Sequence, residues 1–193
     1  SALQGGFANT DVQRILQMQC TSFNLEYPMP LPPLTEKDAF QIAAEYYDLI
    51  AKAKLLPGDI DRNFLISERP DRSYVLKIHN PKTLQGEIEF QNAALQHLSR
   101  FNGVPRIIPN KNGEELFIYE KKYLVRMVSY LEGTLLADAP IRTPNLLRQL
   151  GTFLAQLDLA LANFEHPSMK REGFLWDLTR ADEAIEPRLM NLR

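Results

Sequence analysis

The apolar positions of the chain change period several times, and each change marks an element. Thr35 precedes a set at helical spacing (Ala39, Ile42, Ala43, Tyr46, Tyr47 and Ile50), and Asp38, three residues after it, supplies the acid of a capping box. The spacing predicts a helix over 36–50. Beyond it the period shortens to strand-like runs at 53–56, 63–68 and 73–78, with turn chemistry at Pro57-Gly58-Asp59 and Arg69-Pro70-Asp71-Arg72. These runs predict three antiparallel strands joined by tight turns. Ile88, Ala94, Leu95 and Leu98 then return to helical spacing over 87–100, and Asn102-Gly103 supplies a stop. Residues 104–108, 115–120 and 123–130 are again β-branched or aromatic, with turns at Lys111-Asn112-Gly113 and Lys121-Lys122.

The expected fold is therefore α+β: a five- or six-stranded antiparallel sheet with one helix inserted after the third strand. Residues 131–143, with Gly133 and Pro140, read as a linker. Pro144 then sits where the first turn of a helix tolerates it, and Leu146, Leu147, Leu150, Phe153, Leu154, Leu157 and Leu161 form an apolar stripe reaching Phe164. This pattern predicts a long, well-buried helix. A loop from His166 and a further helix from Ala181 complete the chain. At the other end, the amphipathic patch Val12, Ile15, Leu16 and Cys20 is followed by Pro28, Pro30, Pro32 and Pro33, which fix φ and remove donors, so an extended arm is expected. The organisation reads as an N-terminal extension at 1–34, a sheet domain at 35–130, and a linker with the start of a helical region at 131–193. No internal repeat is evident.

Composition narrows the function classes. Among 193 residues, 22 basic and 24 acidic side chains are interspersed, for a net charge of -2, so no face is built for a polyanion and no nucleic-acid partner is expected. Cys20 is the only cysteine, which excludes an intrachain disulfide framework and suits a reducing, cytoplasmic setting. No apolar run approaches the roughly 20 residues that span a bilayer, so no membrane partner is expected.

The order of elements points to chemistry. Strand, glycine turn, strand, strand with a lysine, helix with carboxylates, more strands, linker and helix is the order of a kinase N-terminal lobe. In such a lobe the third-strand lysine holds the α and β phosphates and a helix carboxylate holds the lysine. The lysine is Lys77, in Tyr74-Val-Leu-Lys-Ile78. Alternation puts Val75 and Lys77 on one face and Leu76 and Ile78 on the other. A strand lysine can equally be a solvated edge residue. The helix offers Glu87 and Glu89 on different faces. Glu89 is favoured as partner because Ile88 and Phe90 look like packing positions, with Gln91 as an alternative occupant and helix-dipole complementation as the plainer role for both acids. Gly58-Asp59-Ile60-Asp61-Arg62-Asn63-Phe64 stands where a loop over the triphosphate belongs, although its single glycine matches no glycine-rich phosphate motif. Met127, Ser129, Tyr130 and Leu131 stand where a kinase cleft meets the adenine edge.

Taken in order, Leu56-Pro-Gly-Asp-Ile-Asp-Arg-Asn-Phe64, Tyr74-Val-Leu-Lys-Ile78, Ile88-Glu-Phe-Gln-Asn92, Leu124-Val-Arg-Met-Val-Ser-Tyr-Leu-Glu-Gly133 and Leu150-Gly-Thr-Phe-Leu-Ala-Gln-Leu-Asp158 resemble the successive blocks of the aminoglycoside phosphotransferase and choline kinase-like family. The hydroxylysine-kinase-like branch, which includes proteins fused to class III aminotransferases, is the nearest in flavour, and Phe174-Leu-Trp-Asp-Leu178 also resembles it. The resemblance implies ATP with Mg2+ and phosphoryl transfer to a small hydroxylated or amino-containing acceptor. It implies nucleotide contacts by Lys77, Glu89, Asp61, Arg62, Asn63, Phe64, Met127, Ser129, Tyr130 and Leu131. It also implies a catalytic His-Gly-Asp-like loop and metal ligands. None of His79, His97 and His166 is followed by Gly-Asp or His-Asp, so the expectation is a kinase-like N-terminal lobe with a truncated C-terminal lobe, inactive by itself. The competing expectations are a non-catalytic kinase-like module that binds a partner or dimerises through 144–164, and an unrelated α+β scaffold on which Lys77 and Glu89 are surface residues.

Overall fold

The computed structural model describes residues 31–69, 72–139, 141 and 143–169. The expected patch at 12–20, the prolines at 28 and 30, the helix from Ala181 and the Phe174–Leu178 block lie outside the described residues. Helix α1 (Glu36–Tyr47) starts on the anticipated box: the Thr35 hydroxyl accepts from Asp38 N–H, and the Asp38 carboxylate accepts from Thr35 N–H at 2.7 Å. It stops short of Ile50 because Asp48 enters the left-handed region, at φ 53°, and Leu49 N–H closes back on Ala43 O.

Among the described residues six antiparallel strands make one sheet: β1 (Lys52–Leu56), β2 (Arg62–Arg69), β3 (Arg72–Ile78), β4 (Ile107–Ile108), β5 (Phe117–Tyr119) and β6 (Tyr123–Ser129). The order is β1-β2-β3-β6-β4, with β5 also on β6. One edge of β6 pairs with β3, and β5 and β4 tile the other, through Phe117↔Val125 and Ile107↔Val128 respectively. The β5–β6 turn centres on Glu120 and Lys121, at φ 49° and 55°, rather than on Lys121-Lys122. The turn is closed by Lys122 N–H on Tyr119 O, and positive φ at both central residues gives it the hand that matches the strand twist.

Side-chain alternation divides the sheet into two unlike faces. Phe64, Ile66, Leu76, Ile78, Val125 and Met127 are fully buried in one core with Ala39, Ile42, Ala43 and Tyr47 of α1. At roughly 1.5–3 kcal/mol for each large apolar side chain, these six strand residues supply on the order of 10 kcal/mol, so this face drives the folding of the sheet. The opposite face lies under α2 (Gln85–His97), whose Ile88 and Asn92 are buried. Arg106 secures the end of that helix by donating from its guanidinium to Leu98 O at 2.9 Å and Phe101 O at 2.6 Å. The backbone of Arg106 is bonded to Ser129, so the helix end and the end of β6 are held together.

Helix α3 (Pro144–Leu161) begins with Pro144 and a Thr143 hydroxyl that accepts from Leu146 N–H at 3.1 Å. The expected burial is not found, because no residue of α3 is buried. Among the described residues, contact runs along one side only. The rings of Phe153 and Phe101 stand 5.5 Å apart. Gly103, at φ +85°, lets Phe153 approach to within 2.8 Å of where a Cβ would sit. Farther along, His97 Nε2–H donates to Ala160 O at 2.9 Å, and the His97 ring lies against Phe164. Leu147, Leu150 and Leu154, which share one helical face, remain exposed, since the described residues supply no second layer over them. No helix among the described residues is long and apolar enough to cross a membrane.

Candidate functional site

On the α2-facing side of the sheet, register sets the side chains in rows. Asn63 is opposite Lys77, and Lys77 is opposite Arg126. The next row toward the linker is apolar, with Leu65 opposite Val75 and Val75 opposite Val128. A polar, cationic row thus lies about 7 Å from an apolar one along the strands. Lys77 is half-buried and its Nζ donates to Asn63 Oδ1 at 3.1 Å. Burial pushes the ammonium below its usual pKa. Asp61 opposes that effect, and Arg126 adds to it.

Asp61 enters the site from the turn before β2. Its two carboxylate oxygens accept from His79 Nδ1–H at 2.8 Å and from Asn80 N–H at 3.1 Å. Burial acts to raise its pKa, but these two bonds and the positive charge of Lys77 outweigh burial and hold the carboxyl below the usual range. Its partner His79 is 1% exposed, and burial pushes the imidazole below its ordinary value, so the ring is neutral and donates from Nδ1. The loop can close this tightly only around Gly58, where a Cβ would lie 2.4 Å from Asp61 O and 2.7 Å from Asn63 Nδ2.

Helix α2 brings amides, not acids, to Arg126. Arg126 Nη1 donates to Asn92 Oδ1 at 2.5 Å, and Nη2 donates to Gln91 Oε1. Burial lowers the guanidinium to about 10, with Asp61 acting in the opposite direction. Glu89 is exposed and accepts from Gln85 Nε2 at 2.7 Å, and among the described residues no ion pair joins Lys77 to Glu87 or Glu89. The helix turns Ile88 and Asn92 inward, which leaves Glu89 on the outer side.

Of the residues singled out from the sequence, Lys77, Asp61 and Asn63 come together. Arg62 faces elsewhere, with Nε donating to Pro32 O at 2.9 Å. Phe64 and Met127 are fully buried on the α1 face, the opposite side from Lys77, as the two-residue period of their strands requires. Ser129 Oγ accepts from Arg106 N–H at 2.8 Å, and its own N–H donates to Arg106 O. Tyr130 N–H donates to Ser73 O, while its side chain and that of Leu131 are exposed. Reasoning from sequence passed over Arg126, His79 and Asn92 as members of the cluster. A visible signal existed for Arg126, the one charge inside Leu124-Val-Arg-Met-Val-Ser129.

Residues 52–189 match the family model described as the phosphotransferase enzyme family, APH. Hydroxylysine kinase of Mus musculus is 32% identical over 169 residues, covering 76% of this chain and 44% of the relative. Hydroxylysine kinase of Danio rerio is 29% identical over 163 residues, covering 77% of this chain and 45% of the relative. The chain thus spans less than half the length of these relatives. Among solved structures, the amicoumacin kinase hAmiN in complex with AMP-PNP, Ca2+ and Ami superposes with a TM-score of 0.60 at 17% identity, over 83% of this chain and 55% of the other. At that identity the likeness is one of fold.

Proposed function

The chain belongs to the APH phosphotransferase enzyme family, and from that premise we propose that it forms the ATP-binding part of a kinase that phosphorylates a small hydroxylated or amino-containing compound. The observation that carries this reading is the ordered pair of rows on the α2-facing side. Lys77, with Arg126 beside it, gives the row far from the linker a positive potential suited to phosphate oxygens. Leu65, Val75 and Val128 give the row nearer the linker a flat apolar surface suited to a purine. The base then lies toward Tyr130 and Leu131. With Ser129 and Tyr130 N–H already used by the sheet, Leu131 N–H is the next backbone donor available to its edge.

The residues present fit the nucleotide: a half-buried ammonium held by Asn63, beside a tight turn made by Gly58. Bound ATP supplies the phosphoryl group. The chain's own part is to hold the phosphates and keep them apart from bulk water. Mg2+ accompanies ATP in this reading, but no group of three or more His, Cys, Asp or Glu side chains converges among the described residues, so no step is drawn through the metal. No histidine in the sequence precedes Gly-Asp or His-Asp, and these 193 residues by themselves are accordingly inactive. The acceptor and its base belong to the intact protein. The exposed face of Leu147, Leu150 and Leu154 is covered there by further polypeptide or, in the second reading, by another copy of the chain. Light scattering separates these two cases.

Calorimetric titration with ATP tests the reading. The wild type binds, and Lys77→Ala weakens binding by about 10- to 100-fold, the worth of one charge-assisted hydrogen bond of roughly 1.5–3 kcal/mol. Absence of binding by the wild type, or equal affinity of the variant, overturns the nucleotide site. Steady phosphorylation of any acceptor overturns the inactivity.

A further inference from the structure

We propose that Asp61, carried by the turn before β2, is the positioning residue that supplies the counter-charge of Lys77, and that α2 is instead fastened to the sheet by Arg126 through the neutral amides of Gln91 and Asn92. The inference rests on the reading of Lys77 as the phosphate-facing cation. It replaces the expected pairing of that lysine with a helix glutamate.

Three observations carry it. The register places Asn63 directly opposite Lys77, with Asp61 two residues before Asn63 and His79 two residues after Lys77. Asp61 therefore stands diagonal to Lys77 just before the first pair of the ladder, Arg62↔Ile78; no direct ion pair joins the two, so the carboxylate acts on the ammonium as a nearby fixed charge. Second, the carboxylate is fixed from both sides. His79 Nδ1–H and Asn80 N–H each occupy one oxygen, and His79 is itself packed to 1% exposure, so the charge cannot swing away to solvent. Third, among the described residues no acid of α2 pairs with Lys77, and the half-buried Glu87 makes no ion pair with it. Glu89 is exposed and bonded to Gln85, whereas the inward positions carry Gln91 and Asn92, both engaged by Arg126. The charged groups felt by Lys77 are Asp61 and Arg126, and Asp61 is the anion of the set.

The consequence is mechanical. Where a helix carboxylate grips the lysine, displacement of the helix disarms the site. Here the lysine, its hydrogen-bond acceptor and its counter-charge all ride on β2, β3 and the turn between Gly58 and Arg62. The phosphate site is then built into the sheet. Helix α2 is held separately.

The test is an NMR pH titration of the full chain carrying [13Cε]lysine, with the Lys77 signal assigned by Lys77→Arg. In Asp61→Asn the Lys77 transition moves to lower pH, because the anion that favoured the ammonium is gone. In Glu89→Gln it stays at the wild-type position. If Asp61→Asn does not fold, Asp61→Glu takes its place: the charge is kept but its tether is lost, so the shift is smaller and in the same direction. A shift in Glu89→Gln, or none in the Asp61 variant, overturns the proposal. ATP titration of the same wild-type sample reports independently. Failure to bind sinks the nucleotide reading, while the lysine titration still decides whether Asp61 is the partner.

Discussion

Arg126 is the most instructive position to perturb, because its burial opposes stability. Arg126 is 4% exposed and burial brings its guanidinium down to about 10. Set against the higher ordinary value of an arginine, at ~1.36 kcal/mol per pH unit, the charged form costs the fold about 3 kcal/mol. The sign follows from proton counting. Between pH 10 and the unfolded value the folded state binds fewer protons than the unfolded one, so stability rises with pH there, and below pH 10 the whole cost is present. At pH 7, Arg126→Met removes that cost but leaves Asn92 Oδ1 buried without its donor, a penalty of about 1–3 kcal/mol. Gln91 is half-buried and turns to water. The single variant should therefore range from about as stable as wild type to about 2 kcal/mol more stable. Arg126→Met with Asn92→Leu removes the stranded amide too, and should be more stable by about 1–3 kcal/mol, as when a buried polar pair is exchanged for packed apolar side chains. Urea unfolding followed by circular dichroism measures this, with a common m-value as the condition for comparison. If the double variant is less stable by more than about 1 kcal/mol, burial of this charge is compensated by contacts that the two amides do not account for, and the reasoning fails.

Other expectations follow from the same geometry. The His79 imidazole sits below its ordinary value, facing Asp61, Lys77 and Arg126; the unfolded chain takes up a proton near pH ~6.5 that the folded chain refuses, so the urea midpoint should decline as pH falls below about 6.5. Asp61, depressed instead, keeps its contribution above the ordinary carboxylate range and loses it only at lower pH, so His79→Asn should flatten the upper part of the acid limb and leave the lower part. Thr35→Ala removes one half of the α1 capping box and should cost about 1 kcal/mol in the same urea assay. Gly58→Ala drives a methyl against Asp61 O, 2.4 Å away, and should cost about 1–3 kcal/mol and weaken ATP binding by calorimetry through displacement of Asp61 and Asn63.

The parts of the fold that were legible in the sequence are those fixed by local periodicity and caps. Thr35 with Asp38 announced α1, and the two-residue period of 73–78 placed Lys77 opposite the core side correctly, because both signals depend only on neighbours in the chain. What failed needed information from elsewhere in the fold. The leucines at 147, 150 and 154 form a convincing apolar stripe, yet burial depends on a partner layer that a helical period cannot reveal. Phe64 and Met127 were assigned to the site by their place in order along the chain. Their own strand alternation, applied as it was to Lys77, puts them on the α1 face. The choice among Glu87, Glu89 and Gln91 stayed open because it depends on the roll of α2 about its axis, which Ile88, Asn92 and Arg126 set through contacts far apart in sequence.

That roll explains why the site can use a counter-charge from the sheet. Turning Ile88 and Asn92 inward buries an apolar residue and an amide, and an amide satisfies a guanidinium without adding a second buried ion. Had Glu89 been turned inward instead, the helix would have carried a carboxylate beneath two cations, and its position would have depended on the state of Lys77. With Arg126 held by amides and Asp61 held by His79 and Asn80, each charge in the site has a fixed partner before any ligand arrives. A site with its dipoles already oriented loses less free energy to reorganisation when a polyanion binds. Its cost appears in the fold instead, as the buried guanidinium of Arg126 and the neutral imidazole of His79 that acid must protonate.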